Sequence, residues 1–175
     1  MDIYKQNKTV LTLDAGGTNL VFSAMCAGEF IGQEIVISAL ANTLDEFLSK
    51  LIQGFEQVLS QVEEAHAISF AFPGPADYKN GIIGDLENLK VFKGGVALGP
   101  FLSNYFKLPV FINNDGDLFA LGESMGGFLP KTNALLRENG VNKSYHNLLG
   151  LTFGTGFGAG FVSNNQLLQG DNCAA

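Results

Sequence analysis

Two glycine-rich turns, each preceded by a short apolar run, constrain the fold of this chain more than any other feature. The first, Gly16-Gly17, follows the run Leu11–Asp14, and the second, residues 154–160, follows Leu151–Phe153. Short apolar runs that stop at glycine are typical of buried strands. Both segments therefore predict a strand, a glycine turn and a returning strand. Their wide separation in the chain suggests two related halves rather than a solenoid repeat.

The composition excludes several classes of protein. The chain has 175 residues, with 10 Lys+Arg against 17 Asp+Glu and a formal charge of −7, so it lacks the basic surface of a nucleic-acid-binding protein. No apolar run is long enough to span a membrane, and the residues after Met1 do not form an apolar leader. Cys26 and Cys173 lie far apart and show no zinc-ligand spacing. We therefore expect a cytoplasmic protein without nucleic-acid or membrane partners.

Periodicity and turn signals predict an α/β chain. The segment Thr43–Glu46 is a capping box, in which a Thr and a Glu three residues apart both bond the start of a helix. The dipeptide Asn164-Asn165 suits a two-residue hairpin. The predicted strands cover residues 9–14, 19–27, 30–37, 67–72, 110–113, 148–153 and 161–163; helices follow residue 43, span 100–106 and end near 123; residues 81–99 are irregular; and residues 130–147 form a polar surface excursion with a short helix near 132–138.

The first glycine turn has the residue types of a phosphate site. Gly16 and Gly17 let backbone N–H groups approach a phosphate, and Thr18 adds a hydroxyl donor. Asp14, just before the turn, could hold Mg²⁺ through water, since Mg²⁺ keeps much of its hydration shell. The alternative is an ordinary hairpin with a solvated aspartate.

The second glycine turn formally satisfies a dinucleotide fingerprint but lacks the required context. That fingerprint needs a helix after the turn, whereas Phe161–Ser163 predicts a strand. A second phosphate-binding hairpin formed by Gly154, Thr155 and Gly156 fits better, with the threonine hydroxyl as a donor.

A third constellation lies at a predicted strand end. Asp115 is a candidate general base, and Asn114 could fix a hydroxyl by donating and accepting hydrogen bonds. The alternative is that Asp115 caps the following helix. Weaker candidates are Gly74, in a rigid Pro-Gly-Pro loop, and Asn88, in a glycine-rich segment.

The order of these motifs resembles that of one family. DAGGTN at 14–19, FPGP at 72–75, NND at 113–115 and GTGFGAG at 154–160, with NDGDLFALGE from Asn114, resemble the sugar kinases of the ROK family (repressor, open reading frame, kinase). The resemblance implies the ribonuclease-H-like fold of the actin/hexokinase superfamily, an α/β mixed sheet flanked by helices. It implies a first domain at residues 1–114 and the start of a second, incomplete domain at 115–175.

The family also implies roles for individual residues. Asp115 would take the proton from the primary hydroxyl of a hexose, glucose or a related sugar, as it attacks the γ-phosphoryl of ATP. Asn114, Asn88 and Gly74 would bind the sugar. The cofactor-binding residues would be Asp14 with Mg²⁺, Gly16, Gly17 and Thr18 in the first phosphate loop, and Gly154, Thr155 and Gly156 in the second.

The resemblance also leaves alternatives open. Asp117 replaces an Asn that is common in the family, and the family's downstream Glu-x-Gly-His and Cys-rich zinc motifs have no counterpart. The resemblance therefore implies the N-terminal portion of a glucokinase-like enzyme, either a fragment or a natural truncation, homodimeric at full length, with the 175-residue piece inactive or very weak alone. Polyphosphate could replace ATP as the donor. The competing functions are a sugar-sensing protein or transcriptional regulator of the same family, and an actin-like structural ATPase.

Overall fold

The chain divides into two compact units, with the boundary in the sequence between Ile112 and Asn113. The computed structural model describes residues 6–86, 89–154 and 157–170. In chain order the elements are β1 (Thr9–Ala15), β2 (Asn19–Cys26), β3 (Glu29–Ser38), α1 (Leu44–Leu59), β4 (Ala67–Ala71), β5 (Ala76–Asp77), β6 (Ile82–Ile83), a 3₁₀ turn (Lys90–Phe92), α2 (Leu98–Phe106), β7 (Val110–Asn113), α3 (Asp115–Met125), α4 (Phe128–Glu138), β8 (Asn147–Phe153), β9 (Phe157–Ser163) and β10 (Gln166–Leu168).

The first unit is built on a five-stranded mixed sheet of order β3-β2-β1-β4-β7. β1 pairs antiparallel with β2, and β2 pairs antiparallel with β3. β4 pairs parallel with β1, with Leu11 opposite Ile68. The predicted antiparallel start of the chain is confirmed. The parallel pair is the feature that brings two strand ends, and the loops after them, to one edge.

α1 begins at the predicted capping box. The Thr43 hydroxyl accepts a hydrogen bond from the Glu46 amide at 3.1 Å. The Glu46 carboxylate accepts one from the Asn42 amide at 2.8 Å, and this bond is the main reason that the pKa of Glu46 lies below its usual value. The helix therefore starts where the sequence predicts, and its buried face turns toward the sheet: Phe47, Leu51, Phe55 and Val58.

Phenylalanine rings form the centre of the first unit. Phe55 lies 5.0 Å from Phe22 and 5.8 Å from Phe106 between ring centroids, in edge-to-face arrangements. Phe72, just after β4, lies 5.3 Å from Phe92. Edge-to-face pairs add to the free energy gained by burying apolar area. The loop after β4 is therefore anchored in the core by Phe72, which is fully buried.

The second unit contains the antiparallel sheet β8-β9-β10, with α3 against the sheet and α4 packed on α3. The strands approach α3 at glycines: a Cβ built on Gly160 would lie 2.5 Å from the Gly116 carbonyl oxygen and 2.8 Å from the Ala120 Cβ. Real Cβ atoms do not come so close, so glycine is required at this crossing. The alternate side chains of the sheet are large, apolar and exposed: Leu149, Leu151, Phe153, Phe157, Phe161 and Leu168.

Two sequence predictions about this unit were wrong in extent. β9 begins at Phe157, not at Phe161, so the glycine turn is shorter than residues 154–160. The polar excursion contains an eleven-residue helix, α4, in which Pro130 occupies the first turn, where a missing N–H is tolerated. The Asn164-Asn165 hairpin is confirmed, with φ of 50° and 62°. No helix in the described ranges has the length and apolar content needed to cross a membrane.

Candidate functional site

The first glycine turn lies at the end of β1 and is open to solvent. Asp14 is exposed, and so are the turn residues that follow it. A Cβ on Gly16 would lie 3.1 Å from the Asn19 carbonyl oxygen, whereas a Cβ on Gly17 would meet nothing within 4 Å. The Thr18 carbonyl accepts a hydrogen bond from the Ala39 amide at 2.9 Å, which ties the turn to the chain after β3. The turn is thus fixed at one end and leaves room for a ligand over Gly17.

The Pro-Gly-Pro loop lies at the same edge of the sheet as this turn. β1 and β4 run parallel, so their carboxyl ends coincide, and such edges are where ligands bind in α/β sheets. The Tyr78 hydroxyl donates a hydrogen bond to the Phe72 carbonyl at 2.8 Å. The Gly84 amide donates to the Pro75 carbonyl at 2.8 Å. Gly74 is therefore exposed on a loop that is held at both sides.

In the second unit, Asn114 and Asp115 open helix α3. The Asn114 Oδ1 caps the helix and accepts hydrogen bonds from the amides of Gly116 (2.8 Å) and Asp117 (3.3 Å). The Asp115 Oδ1 accepts from the Gly116 amide at 2.9 Å, and the residue is exposed. The residue that caps α3 is therefore Asn114 rather than Asp115, and the carboxylate of Asp115 lies at the surface.

The β8–β9 hairpin lies beside Asp115. A Cβ on Gly158 would lie 3.9 Å from the Asp115 Oδ1 and 2.5 Å from the Thr152 Oγ1. Gly158 faces Thr152 across the hairpin, one pair below its end at Phe153 and Phe157. The structure thus brings the candidate base against the hairpin that carries the second glycine turn. Gly154 is an exposed bend at that end, with open space around its Cα.

Three candidate residues lie outside the described residues: Asn88, Thr155 and Gly156. The described candidates fall into two groups. Asp14, Gly16, Gly17, Thr18 and Gly74 belong to the first unit, while Asn114, Asp115 and Gly154 belong to the second.

Asp117 is the feature that the sequence did not reveal. Its side chain is completely buried, and in the described part of the chain neither carboxylate oxygen has a hydrogen-bond partner. Burial, and then the nearby charge of Asp115, raise the pKa of Asp117 above its usual value. The signal in the sequence was the alternation of Gly158 and Gly160, because glycine within a strand marks a close approach of another backbone.

The residues suit a cation held mainly by water and phosphate rather than a closed metal site. Within residues 6–86, 89–154 and 157–170, no three His, Cys, Asp or Glu side chains cluster closely enough to hold an ion. Asp14 offers one exposed carboxylate beside an open turn. Mg²⁺ usually binds through one or two carboxylates, several waters and substrate phosphates. The donor set therefore fits Mg²⁺.

Comparison with known proteins decides the family. Residues 10–175 match the family model described as "ROK family". This chain belongs to the ROK family. A crystal structure of glucokinase from Parabacteroides distasonis is 57% identical, superposes with a TM-score of 0.88, and is matched over 100% of this chain and 50% of its own. The ribonuclease-H-like fold class, a mixed sheet flanked by helices, is thereby confirmed.

Curated relatives of this ROK protein include both enzymes and regulators. A glucokinase of Thermotoga maritima is 26% identical over 92% of this chain and 46% of its own length. A xylose repressor of Caldicellulosiruptor bescii is 23% identical over 97% of this chain and 40% of its own length. The chain thus spans about half the length of the relatives it matches.

Proposed function

We propose that the full-length protein phosphorylates a hexose, glucose or a related sugar, at its primary hydroxyl with ATP as the donor. The observation that carries this proposal is the exposed carboxylate of Asp115, on the first turn of α3 and against the β8–β9 hairpin. A general base must be within reach of the proton it removes and close to the group being transferred. Membership of the ROK family supports the same assignment.

Asp115 would act as the base for the attacking hydroxyl. As the sugar oxygen forms its bond to the γ-phosphorus, the carboxylate takes the hydroxyl proton, and the bond between the γ-phosphorus and the bridging oxygen breaks to release ADP. Asn114 would position the sugar. Because its Oδ1 is occupied by the helix cap, its amide group is the part that can donate to a sugar hydroxyl. We assign Asn88 and Gly74 to the same sugar.

The two glycine turns would hold the phosphates of ATP. Gly16, Gly17 and Thr18 would offer backbone N–H groups and a hydroxyl, and Gly154, Thr155 and Gly156 would do the same from the other hairpin. Asp14 would hold Mg²⁺, mostly through water, and the ion when bound supplies positive charge beside the phosphates. Phosphoryl transfer depends mainly on positioning and charge neutralisation, which these residue types can provide.

The test is the steady-state kinetics of Asp115→Asn in the full-length protein, over a panel of hexoses with ATP and with polyphosphate. Loss of a general base lowers kcat by about 10²–10⁴-fold, with a smaller change in the KM of the sugar. The matched control is Asp45→Asn, an exposed first-turn acid of α1 that keeps wild-type rates. Wild-type turnover by Asp115→Asn would exclude Asp115 as the base.

A regulatory function is the second candidate, favoured by the similarity to a xylose repressor over 97% of this chain. A sugar-sensing regulator would bind the hexose with no turnover of ATP, and would bind a specific DNA sequence in a sugar-dependent way. Calorimetric titration with the hexose, combined with the same ATP assay, separates the two functions.

Four further expectations accompany the enzymatic proposal. We expect a cytoplasmic homodimer, with domains at residues 1–114 and 115–175, and an inactive 175-residue chain. Light scattering of the full-length protein tests the oligomeric state. The kinase assay repeated with the 175-residue chain tests its activity.

A further inference from the structure

A completely buried carboxyl group lies two residues after the proposed catalytic base. Asp117 belongs to the first turn of α3 and has no exposed surface. Among the described residues, neither of its carboxylate oxygens accepts a hydrogen bond. An isolated ionised carboxylate in such a place costs many kcal/mol, so the group adopts its neutral form instead. The backbone amide of Asp117 donates a hydrogen bond to the Asn114 Oδ1, which fixes the backbone of this first turn.

A close backbone contact between α3 and β9 lies directly beside Asp117. A Cβ on Gly160 would lie 2.9 Å from the Asp117 Cα, and a Cβ on Gly116 would lie 2.8 Å from the Ala159 carbonyl oxygen. The two glycines allow this contact because they carry no side chain. The close contact therefore lies at the backbone of Asp117, whose two carboxylate oxygens are buried.

The electrostatic surroundings of Asp117 disfavour its charged form. β8, β9 and β10, which pack on α3, contain no ionisable side chain. α4 also packs on α3 and carries Lys131, Arg137 and Glu138, but within the described chain none of these pairs with Asp117. On α3 itself Asp115 repels a negative charge on Asp117, and with the larger effect of burial this raises the pKa of Asp117. Glu123, further along α3, bonds the Phe128 amide instead.

We propose that Asp117 is a positioning residue, which keeps its proton in the folded protein and so lets the first turn of α3, with Asp115, lie against β9. The inference rests on the proposed function, because it concerns the placement of the proposed base. Ionisation of Asp117 requires water or a donor at the carboxylate, and in the folded protein both oxygens are buried with no donor among the described residues. The first turn of α3 must therefore lift from β9, and Asp115 moves away from the hairpin.

The sign of the pH dependence follows from the raised pKa. Between the ordinary and the raised value, the folded protein binds the Asp117 proton and the unfolded chain does not. The folded state therefore loses stability as pH rises through this window. Asp117→Asn is close in shape to the protonated acid and cannot ionise, so this part of the pH dependence disappears.

Two measurements on the full-length protein, wild type against Asp117→Asn, test the proposal. The first is hydrogen exchange of β9 and of the first turn of α3, compared at matched pH. We expect the wild-type exchange rate, relative to the variant, to rise with pH and to approach about tenfold per pH unit where ionisation limits the contact. The second is the pH profile of kcat, which falls in the wild type as pH rises above the ordinary pKa of an aspartate and through the raised one, and is flatter in the variant. Asp45→Asn, on the exposed start of α1, serves as the control and follows the wild type in both.

The possible results separate this inference from the proposed function. If the ratio of exchange rates does not change with pH, the claim that Asp117 keeps its proton in the folded protein is wrong. If the ratio changes with pH but the kcat profiles of wild type and Asp117→Asn are identical, Asp117 does not position Asp115. If no sugar is phosphorylated, the proposed function fails, and the exchange data alone decide whether Asp117 holds a proton. Asp117→Ala, which leaves a cavity but no ionisable group, must share the flat pH response of Asp117→Asn whatever its overall stability.

Discussion

The interior of each unit is stabilised in a different way. In the first unit, buried phenylalanine rings fill the space between α1 and the sheet, and Phe55 alone contacts the rings of Phe22, Phe70 and Phe106. In the second unit, the buried residues of α3 are small or polar, and the sheet buries Val162 but exposes six larger apolar side chains. The first unit therefore depends mainly on side-chain volume, and the second mainly on close backbone contact at glycines. Loss of volume should damage the first, and gain of volume the second.

The largest effect is expected from Phe55→Ala in the first unit. Phe55 is fully buried, and removal of such a ring costs about 3–5 kcal/mol of folding free energy. Hydrogen exchange of α1 and β2 amides in the 175-residue chain measures the loss. The matched truncation in the second unit is Phe157→Ala, which removes a ring that is 68% exposed and should change the exchange of β8 and β9 little. Equal losses at the two sites would contradict the comparison.

The next effect is expected from Gly160→Ala in the second unit. The added methyl group would press on the backbone of Gly116 and on Ala120, and overpacking of this kind costs about 1–3 kcal/mol. The measurement is again hydrogen exchange, here of α3 and β9. Gly122→Ala is the control on the same helix, because its Cβ meets nothing within 4 Å; it should stabilise α3 by up to about 1 kcal/mol, since alanine is the better helix former. If both substitutions change the folding free energy in the same direction, this explanation is wrong.

A smaller loss of folding free energy is expected at the two helix caps. Of the two, only the cap of α3 is also proposed to bind the sugar. Thr43→Ala removes the cap of α1 and Asn114→Ala the cap of α3, each at a cost of about 1 kcal/mol. In the full-length protein, Thr43→Ala should leave the hexose KM unchanged, whereas Asn114→Ala should raise it, because Asn114 is also proposed to bind the sugar. Thermal unfolding and steady-state kinetics measured together separate the two effects. An unchanged KM for Asn114→Ala would remove Asn114 from the proposed sugar site.

The sequence predicted the first unit better than the second for the same physical reason. The strands β1 to β3 and the helix α1 have large apolar side chains at regular spacing, so their periodicity is readable. β9 carries glycine or alanine at positions 158–160, and these residues resemble a turn when no neighbour is known. The burial of Asp117 was missed because it depends on that strand crossing α3. The candidate base Asp115 was found from its order among the motifs, which needs no knowledge of packing.

The smallest effect is expected at the exposed face of the second sheet. Phe153 is 80% exposed, and its ring centroid lies 5.2 Å from that of Phe157, so Phe153→Ser should cost about 0.5 kcal/mol or less in the 175-residue chain. Its visible consequence should be lower binding of a hydrophobic dye, because an exposed apolar patch is lost. Gln166→Ser, an exposed polar change on β10, should leave dye binding unchanged. A loss of several kcal/mol for Phe153→Ser would mean that side-chain volume supports the second unit as it does the first, and the distinction between the two units would fail.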